Sequence, residues 1–360
     1  MSEVTVLGIF VADLSFSANK IPTIGETILG DKHNIGPGGK GCNQAIALAR
    51  LGCNVNFISK IGNDDYGKLA LNSLKQNKID TSNIIISKEH QTGVAGIHVD
   101  SNTGQNAITV IRGAPASFTK DEIDINVIKK SKIFLTQLEI PIDVTLYCLK
   151  KAKESGLINI LNPAPACKLS KDFFRLVDYF TPNETEAEFY SGVKISNEND
   201  AKVSAKKLID MGIKKVIITL GEKGLLYSDD KEEIYVKASL DKAVDTTGAG
   251  DAFNGGFSFA LLKGKKIIEM GVKKVIITLG EKGLFYSDGK EEIYLKATTD
   301  KAVDTTGAGD AFNGGFSFAL LKGKKIKECL EIANKVAGFS TTKLGAGDSM
   351  PTFKDINLKV

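Results

Sequence analysis

The chain has 360 residues, 42% hydrophobic and 25% charged, the composition of an ordinary folded protein. Lys and Arg number 47 against 43 Asp and Glu, and they are scattered, often beside acids as in Lys231-Glu232-Glu233. No dense basic stripe marks a nucleic-acid face, and no apolar run reaches the length of a membrane span.

The N-terminus enters a strand pattern at once, without the charged and apolar regions of a signal peptide. Cys42, Cys53, Cys148, Cys167 and Cys329 are odd in number and dispersed, which predicts free thiols in a reducing, cytoplasmic setting. His33, His90 and His98 lack the spacing of metal ligands.

In chain order, residues 3–10 read as a buried strand and 41–51 as a helix with apolar Ala45, Leu48 and Ala49, ended by Gly52. Residues 55–61 predict a strand and 66–77 a helix. Strands follow at 132–137, 157–161, 179–181 and 215–220, with helices such as 144–155 and 200–212 between them. This alternation predicts an α/β fold: one domain over residues 1–360, with a mostly parallel sheet covered by helices on both faces. Segments 13–35 and 92–112 break the rhythm with strand-like alternation and turn residues. They predict a small separate sheet, a lid over the carboxyl ends of the main strands, where open α/β sheets bind ligands.

A tandem duplication dominates the second half. Residues 211–269 recur as 270–328 with 52 of 59 positions identical, so 301 residues of ordinary chain remain when one copy is set aside. One structural slot can take only one copy, the first, the second or a hybrid. The surplus copy is expected to be extruded from a surface connection, where loop closure costs little. Its strand would then present an apolar edge.

Two motifs carry chemistry. Asp245-Thr246-Thr247-Gly248-Ala249-Gly250-Asp251 recurs as Asp304 through Asp310. Its glycines let successive N–H groups converge at the start of a helix, a place that holds developing negative charge. An aspartate there can accept the proton of an attacking hydroxyl. A plain Asp-capped turn looks the same, as the third Gly-Ala-Gly-Asp at 345–348 shows, because Ser349-Met350-Pro351 starts no helix. The other motif is Gly36-Pro37-Gly38-Gly39-Lys40-Gly41-Cys42-Asn43-Gln44. It contains G-x-G-x-x-G, yet it does not follow the first strand directly as a dinucleotide fingerprint does. Nor is it a Walker A loop, since Gly41 follows Lys40. Its glycines suit close approach of the backbone to a polyhydroxylated ligand, with Lys40 and Asn43 as hydrogen-bonding groups.

These motifs occur in one order with Asn162-Pro163-Ala164-Pro165 and Thr181-Pro182-Asn183-Glu184-Thr185-Glu186, and together the chain resembles the ribokinase-like family of sugar kinases over essentially its whole length once one repeat is set aside. The resemblance implies a sugar-binding set of Asp13, Gly38, Gly39, Lys40, Asn43 and Glu139, and a catalytic base at Asp251 or Asp310. It implies anion holes at Gly248, Ala249 and Gly250 or at Gly307, Ala308 and Gly309. Asn183 and Glu186 match positions that organise Mg²⁺, and Thr219 and Gly221, or Thr278 and Gly280, positions that contact ATP. Asp245 and Thr247, or Asp304 and Thr306, with Gly345 and Ser349, resemble a monovalent-cation (K⁺) site. A homodimer through the lid is also implied.

The chain departs from the pattern at Val11, where ribokinases carry Asn and kinases of 2-deoxyribose resemble this chain. The expected reaction is phosphorylation of the C5 hydroxyl of D-ribose by ATP. The alternatives are a 2-deoxyribose kinase, another small-substrate kinase of the family, or a non-catalytic sugar-binding protein disabled by the duplication. Copy one emerges first during synthesis and can dock on residues 1–210 before copy two exists, so Asp251 is the expected base.

Overall fold

The computed structural model describes residues 2–102, 106–237, 249–262, 275–278, 284–287, 292–298, 302–303, 308, 311–312, 315–316, 319, 322–343, 349–352 and 355. The opening strand is shorter than the pattern predicts: β1 is Val4–Leu7, and after Gly8 the chain leaves for β2 (Val11–Ala18) of a different sheet. There follow β3 (Lys32–Gly38), α1 (Lys40–Arg50), β4 (Val55–Gly62), α2 (Asp65–Gln76), β5 (Ile84–Ser87), β6 (Thr92–Asp100) and β7 (Asn106–Gly113). Next come α3 (Ile125–Lys129), β8 (Ile133–Thr136), α4 (Ile142–Glu154), β9 (Ile158–Leu161), α5 (Lys171–Leu176), β10 (Tyr179–Phe180), α6 (Glu184–Ser191) and α7 (Glu198–Asp210). Copy one supplies β11 (Lys215–Thr219), β12 (Gly224–Asp229), β13 (Glu233–Lys237) and α8 (Ala249–Leu262). Copy two supplies β14 (Val275–Thr278), β15 (Leu284–Ser287) and β16 (Glu292–Leu295), and a C-terminal helix spans Ile326–Ser340.

The main sheet runs β13-β12-β11-β10-β9-β8-β1-β4-β5, parallel from β11 to β5 and antiparallel at the β11-β12-β13 end. Its strands are short apolar runs because both faces are covered. Successive residues feed opposite cores: Val4, Val6, Ile133, Leu135 and Ile160 pack with α1, α2 and α8, whereas Leu7, Phe134 and Leu161 pack with α4, α5 and α7. The chain builds outward from β1 in one direction through β4 and β5, then in the other from β8. The strand order therefore reverses beside β1, the crevice where such sheets bind ligands.

Helix starts follow local chemistry. Asp64 accepts from the N–H of Gly67, Asn197 from that of Asp200, and Asn183 and Glu186 form a reciprocal capping box at α6. The two segments predicted as a lid pair as a four-stranded sheet, β3-β2-β6-β7, with β2 and β6 parallel.

The duplicated copies take different places. Copy one completes the main sheet and lays α8 on α1, where a Cβ at Gly255 would stand 2.7 Å from that of Ala47, so only glycine permits the crossing. Copy two forms a separate sheet, β14-β15-β16. Leu284 and Phe312 of copy two are buried against Leu330 and Ala333 of the C-terminal helix. Asn334 Nδ2 donates to the Lys296 carbonyl at 2.7 Å, and Thr298 Oγ1 donates to the Asn334 carbonyl at 3.2 Å. Copy two is thus packed against the C-terminal helix.

Candidate active site

The site is assembled at the carboxyl ends of β1, β8 and β10, with the lid strand β2 above and the first turn of α8 below. Gly39 precedes α1 with φ 90°, and a Cβ there would lie 2.7 Å from the Ile9 carbonyl oxygen, so the tight entry to α1 requires glycine. A Cβ on Gly38 would fall 2.0 Å from the Asp13 carboxylate, which instead lies directly over that glycine. The β2 register places Asp13 opposite Gly36 and Ala95, and Val11 opposite Gly38 and Gly93, on one face of the lid. Glu139 follows β8, and its Oε2 accepts from the Lys40 N–H at 3.0 Å.

Asp251 stands in the first turn of α8, with 7% of its surface exposed. Its carboxylate accepts from Asn43 Nδ2 at 3.1 Å and from Gln44 Nε2 at 2.9 Å, both on α1. Asp13, Glu139 and Asp251 are mutually close enough to repel, and burial weakens the acidity of all three. Asp13 is raised to about 7 by desolvation and then by Asp251. Glu139 is also raised to about 7, by desolvation first, with Asp251 and Asp13 adding to it and Lys40 opposing. Desolvation raises Asp251 as well, while Lys40, Gln44 and Asn43 favour its charged form. Two buried carboxyls, Glu139 and Asp251, with the half-buried Asp13 and one lysine around a polar crevice suit binding several hydroxyls and removing a proton from one of them.

On the other side, Asn183 and Thr219 bridge at the ends of β10 and β11, and the Thr219 N–H donates to the Pro182 carbonyl at 3.0 Å. Glu186 is buried behind Asn183. Desolvation raises its pKa, and it lies within electrostatic reach of both Lys40 and Asp251. Gly221 is exposed beside Thr219.

The structure therefore brings together Val11, Asp13, Gly38, Gly39, Lys40, Asn43, Glu139 and Asp251, with Glu186 in electrostatic reach of Lys40 and Asp251; Asn183, bonded to Glu186, bridges to Thr219, and Gly221 follows Thr219 at the surface. Ala249 and Gly250 are exposed at the start of α8. Gly248, Asp245, Thr247, Gly280, Asp304, Thr306, Gly307, Gly309, Asp310 and Gly345 lie outside the described residues. Ala308 is helical, Thr278 ends β14 and Ser349 is buried, but none is joined to the Asp251 crevice by a described contact. Among the described residues no cluster of three His, Cys, Asp or Glu side chains is placed to hold a metal ion. No described helix is long and apolar enough to cross a membrane.

Sequence reasoning passed over five residues. Gln44, Gln137, Asn162, Thr181 and Asn254 are all buried and hydrogen-bonded around the first turn of α8. Three of them lay inside motifs already singled out, and Asn254 sits three residues past Asp251, but amides and hydroxyls carry no signature beyond polarity.

Comparison with known proteins agrees with this geometry. The profile of the "pfkB family carbohydrate kinase" matches residues 1–271 and again residues 264–353. The chain is 40% identical over 284 residues to a ribokinase of Haemophilus influenzae, spanning 78% of this chain and 92% of that protein. It is 34% identical over 278 residues to a deoxyribokinase of Salmonella typhi, spanning 76% and 90%. The structure of Arabidopsis thaliana ribokinase complexed with ribose and ATP superposes with a TM-score of 0.64 at 25% identity, covering 99% of this chain and 97% of that one.

Proposed function

The chain belongs to the pfkB family of carbohydrate kinases, enzymes that transfer a phosphoryl group from ATP to a sugar hydroxyl, and from that premise we propose that it phosphorylates the C5 hydroxyl of D-ribose with Asp251 as the general base. The observation that carries this reading is the Asp251 carboxylate. It is buried at the start of α8, held by Asn43 and Gln44, and faces the crevice that Asp13, Glu139 and Lys40 share.

In this reading Asp13, Asn43 and Glu139 orient the sugar, and Lys40 balances their charge. Asp251 takes the C5 hydroxyl proton as the oxygen bonds to the γ-phosphorus, and the bond from phosphorus to the β,γ-bridging oxygen breaks to release ADP. The exposed start of α8 presents backbone N–H groups to the transferring phosphoryl. The lid excludes water that would otherwise hydrolyse ATP.

Mg²⁺ fits this donor set. Glu186 is a buried carboxylate with no ion-pair partner among the described residues, a suitable hard ligand for a cation that keeps most of its waters. Asn183 and Glu186 would hold it, and bound there it would neutralise phosphate charge. The K⁺ expectation rests on the family resemblance, since most of its residues lie outside those described. Five free thiols support a reducing compartment. Dimerisation through the lid is supported by Ile108 and Val110. They continue the Asp13 face outward along β7 and stand about half exposed, at 48% and 47%.

A second reading, 2-deoxyribose as substrate, is favoured by Val11. It lies on the Asp13 face with 2% exposure, in the core cluster of Ile9 and Ala95, and offers a sugar hydroxyl no partner. The test is ADP release from MgATP with ribose and with 2-deoxyribose, compared as kcat/KM. Higher kcat/KM for ribose upholds the first reading. Higher kcat/KM for 2-deoxyribose replaces it with the second, and turnover of neither sugar sinks both.

A further inference from the structure

Behind Asp251 runs a directional circuit of four buried side-chain amides and one hydroxyl. A carboxylate can only accept hydrogen bonds, so the end of Gln44 that faces Asp251 must be its NH₂ group. That group donates to Asp251 Oδ1 at 2.9 Å and also to Asn162 Oδ1 at 3.1 Å. The Gln44 carbonyl is then turned to Gln137, whose Nε2 donates to it at 2.5 Å.

Asn162, its acceptor used, donates through Nδ2 to the Thr181 carbonyl at 3.1 Å. The Thr181 hydroxyl donates to Asn254 Oδ1 at 2.6 Å, and Asn254 Nδ2 donates to the carbonyl of Gly250, the residue before Asp251, at 2.8 Å. The circuit begins on the Asp251 side chain and ends on the backbone beside it. It draws on α1, β8, β9, β10 and α8. Gln44 is fully buried, and Gln137, Asn162, Thr181 and Asn254 are each at least nine-tenths buried.

Each amide donor faces an atom that can accept, so rotating the Asp251 carboxylate breaks a buried hydrogen bond. We propose that Gln44, backed by Gln137 and Asn162, is a positioning residue for phosphoryl transfer. It fixes the carboxylate of Asp251 through its side chain, while Thr181 and Asn254 fix the same turn through the Gly250 carbonyl. This rests on the reading of Asp251 as the base. Asn43, the other donor to Asp251, faces the sugar and can exchange partners when a hydroxyl arrives; Gln44 cannot.

The test uses Gln44→Met, which keeps length and removes the donor, and Thr181→Val, which keeps shape and removes the hydroxyl. Both are measured beside Asp251→Asn in the full-length protein, by steady-state kinetics across pH and by calorimetric sugar affinity. Gln44→Met is expected to lower kcat roughly 10- to 100-fold, the cost of a misplaced catalytic group, with sugar affinity within about threefold of the parent. The acid limb of kcat should move to higher pH, because the lost amide favoured the charged carboxylate. Thr181→Val should lower kcat less, by roughly three- to tenfold, and it decides the matter if Gln44→Met fails to fold. Parent kcat and pH profile in these variants, with Asp251→Asn inactive, would overturn the positioning role alone. An active Asp251→Asn would instead overturn the assignment of the base.

Discussion

Gly256 and Gly315 are the same position in two copies of one helix, and their surroundings are opposite. A Cβ at Gly315 would stand 2.8 Å from Val336 Cγ2 and 3.0 Å from Ala333 Cα, because the C-terminal helix lies against it. A Cβ at Gly256 would meet no described atom within 4 Å. Neighbouring positions repeat the contrast: Leu284, Phe312 and Ala319 are buried, whereas their twins Leu225, Phe253 and Ala260 are only half-buried. The chain has two sockets of nearly the same sequence and one helix to fill them. Copy one stands at the candidate active site; copy two holds the C-terminal helix.

Deleting residues 270–328 should unite these roles. The C-terminal helix would then follow α8 as it now follows copy two, and could cover Leu225, Phe253, Gly256 and Ala260. Burying even one large apolar side chain more completely contributes roughly 1–2 kcal/mol. The shortened chain is expected to melt several degrees higher in calorimetry and to keep at least the parent kcat. A lower melting temperature would show that copy two supports the fold in its own right.

The two sockets can be probed separately. Gly315→Leu drives a side chain into Val336 and Ala333 and should cost about 1–3 kcal/mol, the usual range for overpacking. Gly256→Leu should be neutral or slightly stabilising, since it adds helix propensity in open space. Urea unfolding of both variants checks the difference, and equal losses would contradict it.

The raised pKa of Asp13 has a definite sign in stability. Its carboxyl holds a proton up to about pH 7 in the folded protein and only to about 4 when unfolded. The folded state therefore loses relative stability as pH rises between those values and is level above them. Asp13→Asn should match the parent near pH 4 and gain at pH 8, by at most roughly 4 kcal/mol at about 1.4 kcal/mol per pKa unit. It should also lose sugar affinity. Thermal melts of both proteins at pH 4, 6 and 8 measure the divergence.

Val11→Asn should lower KM for ribose more than for 2-deoxyribose, by roughly tenfold, if a buried hydroxyl gains the partner that valine denies it. Placing an amide in the cluster of Ile9, Ile58 and Ala95 will cost some stability, so the ratio of kcat/KM for the two sugars is the proper readout.

The strands and helices named within residues 41–220 were legible because each is a short apolar run or an amphipathic segment, and their boundaries moved by at most two residues. The 3–10 strand was not, because Ile9, Phe10 and Val11 are as apolar as β1 yet serve the crossing into the lid. The residues that line the candidate site could be named from motifs, since glycine, lysine and carboxylate chemistry leaves a pattern. The buried circuit through Gln44 and Asn254 could not, because its meaning lies in which atoms face one another. Nor could the placement of the two copies be read from near-identical text. It depends on α1 meeting Gly255 and the C-terminal helix meeting Gly315.

The most direct test compares Asp251→Asn with Asp310→Asn in the full-length chain, measuring sugar-dependent ADP release. With copy one at the active site, Asp251→Asn should lower kcat by roughly a thousandfold, as loss of a general base does, and Asp310→Asn should leave it within a factor of about two. Loss of activity in Asp310→Asn with Asp251→Asn still turning over would contradict the assignment and place copy two at the sugar.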